Sequence, residues 1–108
     1  MSDERVYREE RTIYMIKPKF LLEDLMRAFE KLGLNPELTG GGGFWLIRGS
    51  SDDKKATIEL ESSLEIVEGL RTLGPIPVSR LSIRAEGPPE FITAFKRRLE
   101  VELLRCLG

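Results

Sequence analysis

The fold of this chain is decided by residues 62–75, SSLEIVEGLRTLGP, a stretch that fits two kinds of secondary structure. Ser62, followed three positions later by Glu65, has the spacing of a helix-capping box, and Gly74-Pro75 is a typical helix stop. The apolar residues that would share one face of this helix are Ile66, Val67, Leu70 and Leu73. Alternatively, the alternation of the preceding strand continues through Leu64 and Ile66, which predicts one long bent strand and a meander. The cap and the stop favour the helix.

On the N-terminal side of this segment, the hydrophobic pattern predicts a strand, a helix and a hairpin. Residues 12–16 (TIYMI) form a β-prone run that ends at Lys17-Pro18. From Phe20 the apolar residues recur with a helical period to Leu32, and Gly33 provides the stop. Residues 44–47 and the alternating residues 56–61, joined by a polar turn, predict a hairpin. We interpret the glycines at 40–43 as a flexible connector, because a phosphate loop would need them between a strand and a helix.

On the C-terminal side, residues 78–85 predict a strand. Gly87-Pro88-Pro89-Glu90 then starts a helix, with proline in its first turn, that runs nearly to the terminus. The inner stripe of this helix comprises Ile92, Phe95, Leu99, Leu103 and Cys106. A second apolar stripe comprises Val101, Leu104 and Leu107. This stripe is either buried within a wide-sheeted monomer or forms an interface between chains. We single it out as the candidate protein interface.

The resulting order is strand, helix, strand, strand, helix, strand, helix. It predicts an α+β chain that resembles the ferredoxin-like βαββαβ two-layer sandwich, with an added C-terminal helix. If residues 64–73 are instead a strand, the order becomes strand, helix, meander, helix, which resembles one half of a TATA-binding-protein-like fold. With 108 residues we expect one domain over 1–108, in which residues 1–5 are frayed.

The composition excludes most catalytic chemistry. The chain has no histidine and a single cysteine, Cys106, so the commonest general base and metal ligand are missing and no disulfide can form within it. The remaining carboxylate candidates, Asp52-Asp53 and Glu59 with Glu61, fit a turn and the wet side of a strand. We therefore expect no catalytic residue, no cofactor and no metal site. The first hypothesis is a non-enzymatic binding or interaction domain, homodimeric or bound to another protein.

The alternative hypothesis is a nucleic-acid-binding module that uses basic and aromatic residues of the sheet. Arg48, Arg80 and Arg84 would contact phosphates, and Trp45 or Phe44 would stack on a base. Against it, the 17 Lys and Arg residues are balanced by 18 Asp and Glu residues, so the chain is not globally basic. A third hypothesis, a small-ligand sensor or an enzyme, requires an apolar pocket.

Targeting signals are not evident in the sequence. No apolar run approaches the length of about 18 residues that a membrane span needs, and the charged N-terminus lacks the apolar core of a signal peptide. We expect a cytoplasmic protein with no membrane partner. The chain also lacks glutamine and has one asparagine, Asn35, alongside many Glu and Arg residues, which is the compositional trend of thermophile proteins.

Overall fold

The computed structural model describes residues 6–107, and the side chains of residues 6–104. The elements, in chain order, are β1 (Val6–Tyr14), α1 (Pro18–Lys31), β2 (Glu37–Gly41), β3 (Phe44–Ser51), β4 (Lys54–Glu65), a 3-10 turn (Arg71–Leu73), β5 (Ile76–Glu86) and α2 (Pro89–Leu107). All five strands form one antiparallel sheet in the order β1-β5-β4-β3-β2. The predicted fraying of residues 1–5 and the side chains of Cys106 and Leu107 lie outside the described residues.

The helices α1 and α2 pack against each other on one face of the sheet, so the α+β class is confirmed and the arrangement is compatible with a two-layer sandwich. We call this the helix-covered face, and the opposite one the open face. Alternate strand residues fill the core beneath the helices, among them Ile47, Ile58, Leu60, Leu81 and Ile83. The helices contribute residues such as Leu25, Phe29, Phe95 and Leu99. Burying each such side chain stabilises the fold by about 1.5–3 kcal/mol.

The helix predicted over residues 62–74 is wrong. Residues 62–65 continue β4, and the 3-10 turn is the only helical element between β4 and β5 in the described chain. Ser62 belongs to the sheet, because its N–H donates to the carbonyl of Gly43 and its hydroxyl accepts a hydrogen bond from Ser79. Gly69, with a φ of +87°, interrupts the apolar face that favoured a helix.

The ferredoxin-like topology is therefore not confirmed, because it requires a second helix before the last strand. The described elements follow the order strand, helix, four-stranded meander, helix, which is the order of the alternative prediction. The predicted hairpin of residues 44–47 and 56–61 is confirmed, with longer strands and a tight turn at Asp52-Asp53.

The glycines at 40–43 form a hairpin rather than a flexible connector. Gly40 and Gly41 end β2, and Gly42 and Gly43 form the two-residue turn into β3 with φ values of +65° and +100°. Positive φ at both turn positions matches the twist of antiparallel strands, and glycine adopts it without strain.

The helical layer is narrower than the sheet. Two helices packed about 10 Å apart span about four strands spaced about 4.8 Å. The helix α2 lies over the β1 side, where Phe95 contacts the ring of Tyr7 and Glu100 pairs with Arg11 at 2.6 Å. Phe29 of α1 packs over Gly49 of β3. The fifth strand, β2, remains uncovered, and all five of its residues are exposed.

Candidate binding groove between the first helix and the edge strand

A groove of about 670 Å³ lies between α1 and the hairpin of β2 and β3. Its apolar lining comes from both layers and comprises Pro18, Leu22, Met26, Leu38 and Trp45. Its charged lining comes from α1 alone and comprises Lys19, Glu23, Arg27 and Glu30. A volume of this size and an apolar lining with a few charged groups are typical of ligand sites in proteins.

The apolar face of α1 is wide enough to serve both the core and the groove. Leu21 and Leu25 are fully buried against the sheet. Leu22 and Met26 follow them by one position, which turns them by about 100° around the helix axis. They therefore face the side of α1 where the uncovered strand lies, and both line the groove.

Trp45 forms the floor of the groove on the helix-covered face. It is partly buried and packs against the core, and its register partners are Gly40 on β2 and Leu60 on β4. Because Gly40 has no side chain, the space beside the indole on the β2 side is not filled by a cross-strand neighbour. Leu38, two residues earlier on the same face of β2, is 42% exposed.

Arg27 is a fixed cation on the wall of the groove. Its guanidinium donates hydrogen bonds to the carboxylates of Asp24 and, at 3.4 Å, of Glu102. The bond to Asp24, ahead of the bond to Glu102, raises the pKa of Arg27 above its ordinary value. The groove therefore presents a positive charge whose position is set by two carboxylates.

The outer edge of β2 borders the groove and is unprotected. Within the described residues β2 pairs with β3 alone. Its sequence, ELTGG, contains no lysine and no proline, the residues that commonly shield an edge strand. The other edge strand, β1, carries the charged run Arg8-Glu9-Glu10-Arg11.

Four of the five residues predicted to contact nucleic acid lie on the open face. Phe44 and Arg48 alternate with the core residues of β3, and Arg80 and Arg84 do so on β5. Trp45 lies on the opposite face, so the structure does not bring it together with the arginines.

The register aligns three arginines in one row of the open face. Arg8 is opposite Arg84, and both Arg84 and Arg48 are opposite Thr57. Arg8 was missed in the sequence because the charged residues before Thr12 were placed outside the first strand. The neighbouring row is acidic and contains Glu10 and Glu59.

Two of the arginines predicted to contact nucleic acid, Arg80 and Arg84, already have carboxylate partners. Arg80 donates hydrogen bonds of 2.8 and 3.2 Å to Glu65, and Arg84 pairs with Glu86 at 2.7 Å. The bonds from Arg80, together with one from Ser63, lower the pKa of Glu65 to about 2. The open face is thus a surface of mixed charge.

A smaller pocket of about 190 Å³ lies on the open face and is lined by Glu10, Glu59 and Glu61 together with Phe44 and Arg80. Among residues 6–104, no group of three or more potential metal ligands converges. None of the described helices is long and apolar enough to cross a membrane.

The candidate protein interface on α2 is exposed where the structure describes it. Val101 is 42% and Leu104 63% exposed, so these two are not buried within the monomer. The side chain of Leu107, the third predicted member, lies outside the described residues. Glu102, which lies between Val101 and Leu104 in the sequence, points inward and is fully buried. Its carboxylate lies within 3.5 Å of Arg27, Lys31 and Arg98.

Comparison with protein-family models and with curated proteins finds no match to this chain.

Proposed function

We propose that the chain is a small non-enzymatic binding domain whose binding site is the groove between α1 and the β2–β3 hairpin. The observation that carries this proposal is an open apolar groove, floored by Trp45, next to a strand edge that has no strand partner within residues 6–107. A folded chain exposes such an apolar surface at a cost in hydration, and in natural proteins surfaces of this kind mark binding sites.

The residue types of the groove support binding over catalysis. Among its described lining residues there is no serine, threonine, cysteine or histidine. Of the side chains that serve as nucleophile or general base, the described lining contains lysine and glutamate alone, and Lys19, Glu23 and Glu30 are spread along successive turns of α1. The charged residues follow one side of α1 in the order Lys19, Glu23, Arg27, Glu30. Side chains of alternating charge in this position can orient the polar backbone of a bound ligand.

The groove is tested with N-phenyl-1-naphthylamine, an uncharged apolar probe, observed through energy transfer from Trp45. Leu38→Lys and Met26→Lys place a charge in the groove, so we expect each to weaken binding about tenfold or more. Phe44→Lys is the matched control, because Phe44 is 47% exposed on the open face, close to the exposure of Leu38. Equal losses in the Leu38 and Phe44 variants would remove the groove as the site.

We propose nucleic-acid binding on the open face as a second candidate function, favoured by the row of Arg8, Arg84 and Arg48 on the face that also carries Phe44. Anisotropy of a labelled single-stranded RNA should then rise with protein at low salt and fall at high salt. Arg84→Ala should reduce the salt dependence, and Phe44→Ala should weaken binding by about 1–3 kcal/mol. Absence of binding at low salt would reject this candidate.

A further inference from the structure

We propose that the ligand of the groove is an extended peptide segment that adds a sixth strand to the sheet by pairing with β2. The segment carries large apolar side chains at every second position. This inference rests on the proposed function and specifies the class of its ligand.

The outer side of the β2 backbone can pair with an added strand. In an antiparallel pair, alternate residues direct their N–H and C=O groups towards the neighbouring strand, and the residues between direct theirs away. One side of β2 is occupied by β3 from Glu37↔Arg48 to Gly41↔Phe44. The other side has no strand partner within the described residues, and an added strand would satisfy these groups.

The groove lined by α1 lies beside the position that an added strand would occupy. A strand added to β2 would lie about 4.8 Å further out in the sheet. Every second side chain of that strand would project from the helix-covered face, beside Leu38 and towards Leu22 and Met26. The side chains between them would project into solvent on the other face. The groove therefore selects an alternating pattern, whereas a helical or compact ligand would leave the edge of β2 unpaired.

A second copy of the chain fits this site less well than a separate peptide. If β2 of another copy paired with β2, it would present only Leu38 and Gly40 to the helix-covered face. One leucine and one glycine would leave most of a groove of about 670 Å³ unfilled. Larger apolar side chains at both positions bury the exposed surface of Trp45 and Met26.

The probe is a pool of short, end-capped peptides in which every second residue is Leu, Ile or Phe and the intervening residues are Thr or Ser. A pool of the same composition with adjacent apolar residues is the control. We expect the alternating pool to shift the emission of Trp45 at concentrations about tenfold lower than the control pool requires. Binding should also slow the amide exchange of residues 37–41.

N-methylation separates strand addition from simple apolar contact. Two versions of the tightest-binding peptide carry N-methyl groups, one on the odd and one on the even amides. Because a strand presents alternate amides to its two sides, methylation of one set should weaken binding about tenfold, and methylation of the other should leave it unchanged.

The outcomes that contradict the inference distinguish strand addition, the identity of the ligand and the groove itself. Equal binding of both methylated peptides, still lost in Leu38→Lys, would overturn strand addition and leave the groove as the binding site. Binding of N-phenyl-1-naphthylamine without binding of any peptide would also overturn strand addition and leave the groove as a site for another class of ligand. A mass that doubles with concentration and returns to that of a monomer in Leu38→Lys would assign the groove to a second copy. If neither the apolar probe nor any peptide binds to the chain, the proposed function is overturned as well.

Discussion

At the scale of single residues, the inward face of β1 shows how this chain buries polar groups. Glu9 and Arg11 lie on the helix-covered face, where apolar residues are the rule. Arg11 pairs with Glu9 and with Glu100 of α2, each at 2.6 Å, and Tyr7 donates a hydrogen bond to Glu9. These contacts replace lost hydration, so a charged stretch can continue the strand that was predicted only from Thr12.

Tyr7 gives a prediction about high pH. Burial, followed by the hydrogen bond to Glu9 and the charge of its carboxylate, raises the pKa of Tyr7 from 10.0 to about 12. The neutral phenol is thus favoured by folding, so its contribution to stability is complete below the unfolded pKa and is lost as the pH rises through about 12. In the variant Tyr14→Phe, Tyr7 is the one tyrosine left. Its tyrosinate absorbance should appear near pH 12 and return towards pH 10 in urea.

A tyrosinate titration of the Tyr14→Phe variant that urea leaves unchanged would contradict the buried environment of Tyr7.

Gly49 gives a prediction about packing. A Cβ at Gly49 would lie 2.7 Å from a ring atom of Phe29, which must then shift. We expect Gly49→Ala to lower the free energy of unfolding by about 1–3 kcal/mol, measured by urea denaturation. At Gly41 on β2 a Cβ would meet nothing within 4 Å. Gly41→Ala should therefore leave stability unchanged or raise it by up to about 1 kcal/mol, and a similar loss in both variants would contradict the close approach of α1 to β3.

At the scale of elements, the regular patterns were predictable and the exceptions have physical causes. The helix predicted from Phe20 to Leu32 is confirmed as α1. The predicted stop is also confirmed, because Gly33 follows the end of this helix with a φ of +78°. The strand β2 was missed because ELTGG has one apolar residue and buries none of its side chains. The groove was not predicted either. The sequence signal for it was the pair Leu22 and Met26. These residues make the apolar face of α1 wider than packing against the sheet alone requires, which indicates a second apolar contact.

Glu102, which joins the two helices, was also missed because it interrupts an apolar stripe. Its buried carboxylate lies 3.3–3.5 Å from the cations of Arg27, Lys31 and Arg98, which are partly exposed. Removing the carboxylate leaves cations that water can reach, whereas removing cations leaves a buried charge with fewer partners.

We therefore expect an asymmetry between variants of this cluster. Glu102→Leu should stay within about 1 kcal/mol of the wild type, and the double variant Lys31→Ala with Arg98→Ala should lose about 3 kcal/mol at neutral pH. Urea denaturation measures both, and Arg27 is kept so that the wall of the groove is unchanged. A larger loss in Glu102→Leu than in the double variant would contradict this account.

At the scale of the whole molecule, the exposed stripe on α2 predicts self-association. Val101 and Leu104 are the described members of this stripe, and burial of both in a dimer would remove apolar surface from water. We expect sedimentation to show a mass that rises with concentration and a monomer at every concentration in Leu104→Glu. Leu64→Glu is the control, since Leu64 is 71% exposed on β4. A wild-type chain that is monomeric throughout would reject the dimer.

The two edges of the sheet differ, and this difference limits how copies of the chain can stack. A filament grows only when each added subunit offers a second edge as receptive as the first. Here β2 is uncharged except at Glu37, while β1 carries four consecutive charged side chains, Arg8-Glu9-Glu10-Arg11, along its centre. If a copy of the chain paired with β2 through its own β2, only its charged β1 edge would remain free, so growth of the sheet beyond that pair is disfavoured.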